Sequence, residues 1–400
     1  MQKPRLAVFN TQPPHVYFGG VERRIMETSK RLRNDADITV YSGTKRGFRE
    51  PISRDGMHVI PCFSTDVAFP LDNWVFNQTI SRAVNRIEAD IYEAHAVSGY
   101  AFLKALRKTT SKAPFIQTVH GVLADEYVQA VQGGALSFRE KVANLFMWRL
   151  SRLEAETARN ADLVVTVSHY SARRITQLYG VDKVKIRVVP NGVDTERFKP
   201  SSRGKETRRR YGLARSQVVL FVGRLIPRKG LSYLVEAAKL VVRARADTIF
   251  VIVGNGPLRS QLETRLRNLN LSRNFMFIGD VDENTLESLY SVADVFALPS
   301  IQEGQGIVLL EAQAAAKPVV AFDVGGVKEA VADGKSGFLI ERGEGDSVRL
   351  GNAILDLLSD QTMRERMGKA GREFVTKNFT WDISSQKMLH VYEEALGSRS

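Results

Sequence analysis

Short apolar runs alternate with longer stretches in which apolar residues return every third or fourth position, and the alternation continues along nearly the whole chain. The runs read as buried strands and the longer stretches as amphipathic helices. In the first half strands are expected at residues 5–10, 38–42, 57–61, 91–94, 115–118, 163–168 and 186–189. In the second half they are expected at 218–223, 249–254, 275–279, 295–298 and 318–322. Strand and helix in turn, repeated in both halves, predict an α/β protein of parallel sheets wound on both faces by helices. At 400 residues the chain exceeds one ordinary core, so two domains are expected. The boundary falls after the turn-rich residues 190–198, because residues 199–210 are basic and polar, a linker composition. Two open sheets facing across a cleft follow, and ligands favour such places.

One stretch concentrates chemistry. After the strand at 295–298, Ser300-Ile301-Gln302-Glu303-Gly304-Gln305-Gly306 turns into an Ala- and Leu-rich helix that stops at Lys317-Pro318. The first N–H groups of a helix lack internal partners and its N-terminus is positive, so a diphosphate fits there. Gly304 and Gly306 let backbone approach a ligand closely, with Gln305, Ile307 and Val308 as neighbouring contacts. Glu303 in the loop and Glu311 about one turn inside the helix flank that seat. Carboxylates beside phosphate read as acceptors for hydroxyl groups, those of a sugar and a ribose. The ligand suggested is a nucleotide-sugar.

Other strand ends add candidates. Val222-Gly223-Arg224 runs into Pro227-Arg228-Lys229-Gly230, which places Arg224 and Lys229 beside a helix start. Such cations suit a diphosphate leaving group, on which charge accumulates as a glycosidic bond breaks. Gly254 ends the next strand, and Gly279 followed by Val281 ends the one after. Gly19-Gly20 is either a tight turn or a second phosphate contact, and it lacks the G-x-G-x-x-G dinucleotide fingerprint. His120 ends the strand at 115–118 on the ligand side of the sheet, as a site residue or a packed histidine. Asp280-Val281-Asp282 and Asp35-Ala36-Asp37 have a metal-binding D-x-D form. Both are discounted, because Mg²⁺ needs further ligands and Arg224 and Lys229 already answer phosphate charge. Ser168 reads as a helix cap and Asn191-Gly192 as a turn.

Glu303, the glycine turn, Glu311 eight positions on, then Pro318-Val319-Val320 and Gly325-Gly326 together resemble the donor-site signature of retaining glycosyltransferase family four. The resemblance covers nearly the whole chain and is strongest at 223–230 and 303–311. Gln305 departs from it, since the family normally has a bulky apolar residue or Pro near that position. The resemblance implies a GT-B fold: α/β, with two facing Rossmann-like doubly wound domains. Residues 1–198 would bind the acceptor, 199–376 the nucleotide-sugar, and a last helix at 377–400 would cross back to the first domain. It implies retaining, metal-independent transfer of a hexose-type sugar (mannose, glucose or N-acetylglucosamine) from a UDP or GDP sugar. The acceptor would be a glycan, a lipid-linked molecule or a small molecule, and no cofactor or metal is expected. By the same resemblance Arg224 and Lys229 bind phosphate, Gly19-Gly20 face the diphosphate, and the segment from Gly279 to Val281 lines the base. His120 would contact the transferred sugar or its phosphate without acting as a covalent nucleophile. The alternatives are a GT-B epimerase or phosphorylase and a non-catalytic nucleotide-sugar binding protein, and turnover with donor alone marks the epimerase.

Composition changes this picture in a few places. The lone Cys62 excludes an internal disulfide and a Cys-rich zinc site, which favours a reducing compartment, and its expected role is packing. The net charge of +13 is uneven: residues 1–200 hold 29 Lys and Arg against 20 Asp and Glu, the rest 28 against 24. A basic first half suits a phospholipid or lipid-linked acceptor, although a soluble sugar or a protein fits nearly as well. No apolar run reaches the roughly 20 residues of a membrane span. The chain starts on a strand pattern and not a leader. A soluble cytoplasmic protein is expected, at most peripheral on an anionic membrane. Residues 138–153 mix aromatic, aliphatic and basic side chains, a composition able to lie on such a membrane. Core packing with solvated basic positions accounts for it better. Nucleic acid is not an expected partner, since the familiar modules are missing.

Overall fold

The computed structural model describes residues 3–17, 19–66, 70–132, 138–201 and 203–397, apart from the side chains of 130–132, 138–144 and 203. Eight strands make one sheet: β1 (Arg5–Asn10), β2 (Asp37–Gly43), β3 (Ile52–Arg54), β4 (Met57–Cys62), β5 (Ile91–His95), β6 (Phe115–Val119), β7 (Leu163–Thr166) and β8 (Ile186–Val188). Their order is β3-β4-β2-β1-β5-β6-β7-β8. Six more make a second sheet: β9 (Gln217–Val222), β10 (Thr248–Val253), β11 (Phe275–Gly279), β12 (Val295–Leu298), β13 (Val319–Phe322) and β14 (Gly337–Ile340). Here the order is β11-β10-β9-β12-β13-β14, parallel throughout.

The chain divides into two units, residues 1–191 with 381–400, and residues 192–380. In the first, alternate side chains of one strand serve opposite faces, as the two-residue period of a strand requires. Ala7 and Phe9 join Tyr92, Phe102 and Phe115 on one side, while Leu6 and Val8 join Ile38, Ile91 and Ile116 on the other. The second face is completed by the helix Trp381–Gly397, whose Met388, Val391 and Tyr392 are buried there. Side chains of this size contribute roughly 1.5–3 kcal/mol each when fully buried. The core of the second unit is one cluster around β9, β10, β12 and β13.

Four features depart from the sequence expectations. The division falls at 191/192 and not 198/199, because Val193 N–H bonds Phe379 O at 2.7 Å and Phe198 is buried in the second core. The last helix starts at Trp381, since the preceding helix Gln361–Asn378 runs through the expected start at 377. The supposed linker contains the helix Arg203–Arg210, whose Arg208 reaches Asp294 at 2.8 Å and the carbonyls of Ser216 and Val292. Two short strands were not expected. β3 pairs antiparallel with β4 through a turn whose Asp55 and Gly56 are both left-handed, a hairpin signal attached to a run of only three residues. β14 closes the edge beside β13.

The helix Phe138–Asn160 splits its composition along its length. Leu150, Ala155 and Ala158 are buried, but Leu145, Phe146 and Trp148 are exposed at 54%, 45% and 38% beside exposed Arg149. Core packing therefore does not account for that segment, and the expectation for 138–144 falls outside the described side chains. Cys62 is half-buried against the first core, and burial pushes its thiol up to about 12.

Candidate active site

In the second sheet the strand order reverses beside β9: β10 and β11 lie on one side and β12 on the other, with Val295 and Phe296 in register with Val219 and Leu220. Loops leaving the carboxyl ends of strands at such a reversal form the ligand-binding crevice of open α/β sheets. One loop runs from Gly223 through the 3-10 turn Pro227–Lys229, and the other is 299–306. Ile301 N–H donates to Arg228 O at 2.8 Å. Gly230 has φ 65°, and a Cβ on it would stand 1.8 Å from Pro299 O, so only glycine permits the approach.

This juncture carries Lys229 onto Glu303. Lys229 Nζ and Glu303 Oε1 form an ion pair whose side chains are 13% and 8% exposed, and Ser300 Oγ donates to the same oxygen at 2.9 Å. A third segment supports it from β13: Gly326 N–H donates to Glu303 O at 3.0 Å, and a Cβ on left-handed Gly325 would stand 2.0 Å from that oxygen. Burial pushes the Glu303 carboxyl up. The positive charges of Lys229 and Arg228, with the hydrogen bonds from Lys229 and Ser300, outweigh it and hold the group below the ordinary carboxylate value. Arg224 is exposed and has no ion pair among the described residues.

Gly223, Gly254 and Gly279 lie side by side at the ends of β9, β10 and β11. Gly223 N–H donates to Val253 O at 3.0 Å and Gly254 N–H to Gly279 O at 2.8 Å. At Gly254 a Cβ would stand 2.3 Å from Gly223 O. Val281 packs against the core edge, and the neighbouring Asp282 caps the helix Glu283–Val292 through the N–H groups of Asn284 and Thr285, both at 2.9 Å. That capping accounts for Asp282 of the acidic triplet.

The helix after β12 is Ile307–Ala314, entered through left-handed Gly306. The N–H groups of Ile307 and Val308 have no acceptor among the described residues. Gly304 is half-buried and Gln305 buried. Glu311 is buried too, and Tyr290 OH donates to its Oε2 at 2.7 Å. Sequence reasoning missed Tyr290, whose neighbours in its own helix give no hint of this partner.

The first sheet reverses between β1 and β5. The helix Gly20–Leu32 begins there with Gly19 as its cap, and the Glu22 carboxylate folds back over it. Asn10 Nδ2 donates to Glu22 Oε1 at 3.1 Å, and the N–H groups of Glu22 and Gly19 bond the carboxylate as well. Burial raises the Glu22 carboxyl against those bonds. Of the two readings of Gly19-Gly20, the tight turn is what the structure describes, with the chain's own carboxylate lying against Gly19.

His120 follows β6 and is half-buried, its Nε2 2.8 Å from Nδ1 of buried His95 at the end of β5. The rings stack with centroids 5.1 Å apart. His95 and Glu93 were missed as candidates. The signal was two polar residues two positions apart in an otherwise apolar strand, hence on one face.

Two doubly wound units, each with polar and charged side chains at its strand-order reversal, are those of the GT-B fold. Sucrose-phosphate synthase from Thermosynechococcus elongatus has this fold with a TM-score of 0.83 at 22% identity, covering 100% of both chains. The Anabaena protein HepE in complex with UDP-glucose matches with a TM-score of 0.74 at 21% identity, covering 99% of this chain and 100% of its own. The chain belongs to glycosyltransferase family 4: residues 18–197 match the model described as Glycosyltransferase Family 4, and residues 205–374 that of Glycosyl transferases group 1. A GDP-mannose-dependent alpha-(1-6)-phosphatidylinositol monomannoside mannosyltransferase of Mycolicibacterium smegmatis is 30% identical over 401 residues, 96% of this chain and 97% of that protein. The protein is a glycosyltransferase that takes its sugar from a nucleotide-sugar.

Proposed function

We propose that the protein is a retaining, metal-independent hexosyltransferase that uses GDP-mannose or a closely similar donor and a lipid-linked polyol or glycan as acceptor. The observation that carries the donor site is the buried Lys229–Glu303 pair at the strand-order reversal of the second unit. Arg224 and Lys229 neutralise the diphosphate as charge develops on it, and the N–H groups of Ile307 and Val308 hold its oxygens past Gly304, Gln305 and Gly306. Glu303, kept ionised by its cations, accepts from sugar hydroxyls. Glu311, oriented by Tyr290, accepts from the ribose. Gly254, Gly279 and Val281 meet the base, and His120 contacts the transferred sugar. At Gly19 and Gly20 the donor gains a contact only if the Glu22 carboxylate gives way.

Mannose, GDP and a lipid acceptor are supported by the near full-length relative, retention by family membership, and the absence of a metal requirement by the two cations. Exposed Leu145, Phe146 and Trp148 next to Arg149 and Arg152 support a peripheral stance on an anionic, cytoplasmic membrane face. No described helix is long and apolar enough to cross a membrane. The test is thermal shift with GDP, UDP and ADP and their hexose conjugates, with and without chelator, followed by transfer assays and anomeric NMR of the product. A GDP-specific shift insensitive to chelator is expected. Full transfer by Glu303→Ala would sink the donor assignment, and failure to co-sediment with anionic liposomes at low salt would sink the membrane stance.

A further inference from the structure

Beneath His120 the first unit holds a buried polar chain with its own order. The Glu93 carboxylate accepts from Thr118 Oγ1 at 2.6 Å and from Tyr392 OH at 2.5 Å. His95 Nε2 lies 3.5 Å from Glu93 Oε1, and His95 Nδ1 lies 2.8 Å from His120 Nε2. Arg24, itself 2% exposed, shares with Glu93, His95 and Tyr392 a cavity of about 10 Å³, room for one water. Arg24 is fixed by Val189 O at 2.8 Å and Asn191 Oδ1 at 3.2 Å. Thr118 and Tyr392 both donate, so Glu93 takes part in these bonds as an acceptor through both of its oxygens.

The directions follow in one order. The Glu93 carboxylate 3.5 Å from His95 Nε2 favours the proton on that nitrogen, and with it there His95 Nδ1 is the acceptor and His120 Nε2–H the donor. His120 Nδ1 then keeps its lone pair, and it has no partner among the described residues. Both rings are neutral near pH 7. Burial lowers His95 to about 4 against the opposing pull of Glu93, and burial, the neighbouring His95 ring and the Arg24 charge hold His120 well below its ordinary value. A neutral ring has one N–H, so fixing one nitrogen fixes the other.

We propose that Glu93 and His95 are positioning residues that lock His120 as its Nε2–H tautomer, so that Nδ1 accepts a hydrogen bond from a hydroxyl of the transferred sugar. The use of that acceptor rests on the reading that His120 contacts the sugar, while the locking does not. Tyr392 extends the chain to the C-terminal helix, so that helix has a part in setting the ring.

The test uses the whole 400-residue chain labelled with ¹⁵N-histidine, which has six histidines, with His120 assigned through its loss in His120→Ala. Wild type is expected to show a protonated Nε2 and an unprotonated Nδ1 at His120. His95→Phe, which removes the acceptor, is expected to shift His120 toward the Nδ1–H form and to lower kcat about tenfold with donor KM within about twofold. His95→Gln, whose carbonyl replaces the acceptor, should restore the Nε2–H signal and at least half of kcat. An Nδ1–H signature in the wild type overturns the locking, whatever variants do to activity. His95→Gln no better than His95→Phe overturns the acceptor role of His95. Full transfer by His120→Ala alongside an Nε2–H wild-type ring overturns the sugar contact and leaves the locking in place.

Discussion

The two sheets reverse strand order beside their own first strands, β1 and β9, and they fill that place with opposite electrostatics. In the second unit buried Glu303 meets Lys229 within a single loop junction, and the cations win over burial, so the carboxyl stays ionised. In the first, buried His95 has Glu93 on one side and Arg24 near by, burial wins, and the ring stays neutral down to about 4. The difference is one of partners: Glu303 is held by the charges of Lys229 and Arg228 together, whereas the pull of Glu93 on His95 is opposed by Arg24. Cations held ready suit a ligand that gains negative charge, and a neutral ring suits a hydroxyl whose own charge hardly changes.

The harshest way to break the comparison is Lys229→Ala. Transfer is expected to fall about 10²–10³-fold, the usual loss for one preorganised charge at a developing anion. Stability should fall as well, by about 3–5 kcal/mol, because a buried carboxylate loses its partner. The paired variant Lys229→Met with Glu303→Gln separates these effects: melting temperature should recover while transfer does not. Recovery of transfer would mean that the pair only supports the loop.

Gly325→Ala tests the same junction through the backbone. Its φ of 57° and the 2.0 Å approach of a Cβ to Glu303 O force that loop to move, so kcat should fall about tenfold or more. Gly212→Ala is the control, with φ 69° and nothing within 4 Å, costing about 1 kcal/mol and no activity. Equal activity for the two variants would remove Gly325 from the support of Glu303.

The strand pattern and the glycine turns made the second site legible. Arg224, Lys229, Glu303 and Glu311 stand at strand ends and at a helix start, where local rules say what a ligand could meet. The joining of Lys229 to Glu303 was not legible, because 74 residues separate them and only the register of β12 on β9 brings the loops together. The same holds for Tyr290 on Glu311. In the first unit the sequence leaves Gly19-Gly20 open between a tight turn and a phosphate contact, and it does not reveal that Glu22, three residues past Gly19, turns its carboxylate onto that turn. His95 and Glu93 were hidden by their strand, whose apolar neighbours suggested plain core.

Stability against pH sharpens the comparison at lower cost to the enzyme. The folded state disfavours protonated His95, so its contribution is complete above the unfolded value of 6.5 and is lost as pH falls toward about 4. That loss amounts to roughly 3 kcal/mol. Glu303 acts in the same direction at lower pH, below the ordinary carboxylate value of 4.5. Glu154 acts oppositely: burial raises it to about 7 despite bonds from Tyr179 OH and Leu123 N–H, and its buried Oε1 has no hydrogen-bond partner among the described residues. Its contribution is complete below 4.5 and is lost as pH rises through about 7. Melting curves from pH 4 to 8 should therefore lose part of their acid slope in His95→Phe and part of their alkaline slope in Glu154→Gln. Unchanged slopes would mean that these groups titrate alike in folded and unfolded chains.

The smallest expected effect tests where the first site ends. Ser168 caps the helix His169–Tyr179: its Oγ accepts from Ser171 N–H at 3.1 Å and donates to Ser171 Oγ at 3.0 Å. Both bonds are local and the residue is 1% exposed, so Ser168→Ala should cost about 1 kcal/mol, a few degrees in melting temperature. kcat and donor KM should stay as they are, since the buried hydroxyl has already given its proton and one of its two lone pairs to the cap. A fall in kcat at unchanged stability would show that the hydroxyl leaves the cap for the substrate. Ser168 would then stand with His120 in the first unit, and that unit's chemistry would no longer rest on neutral rings alone.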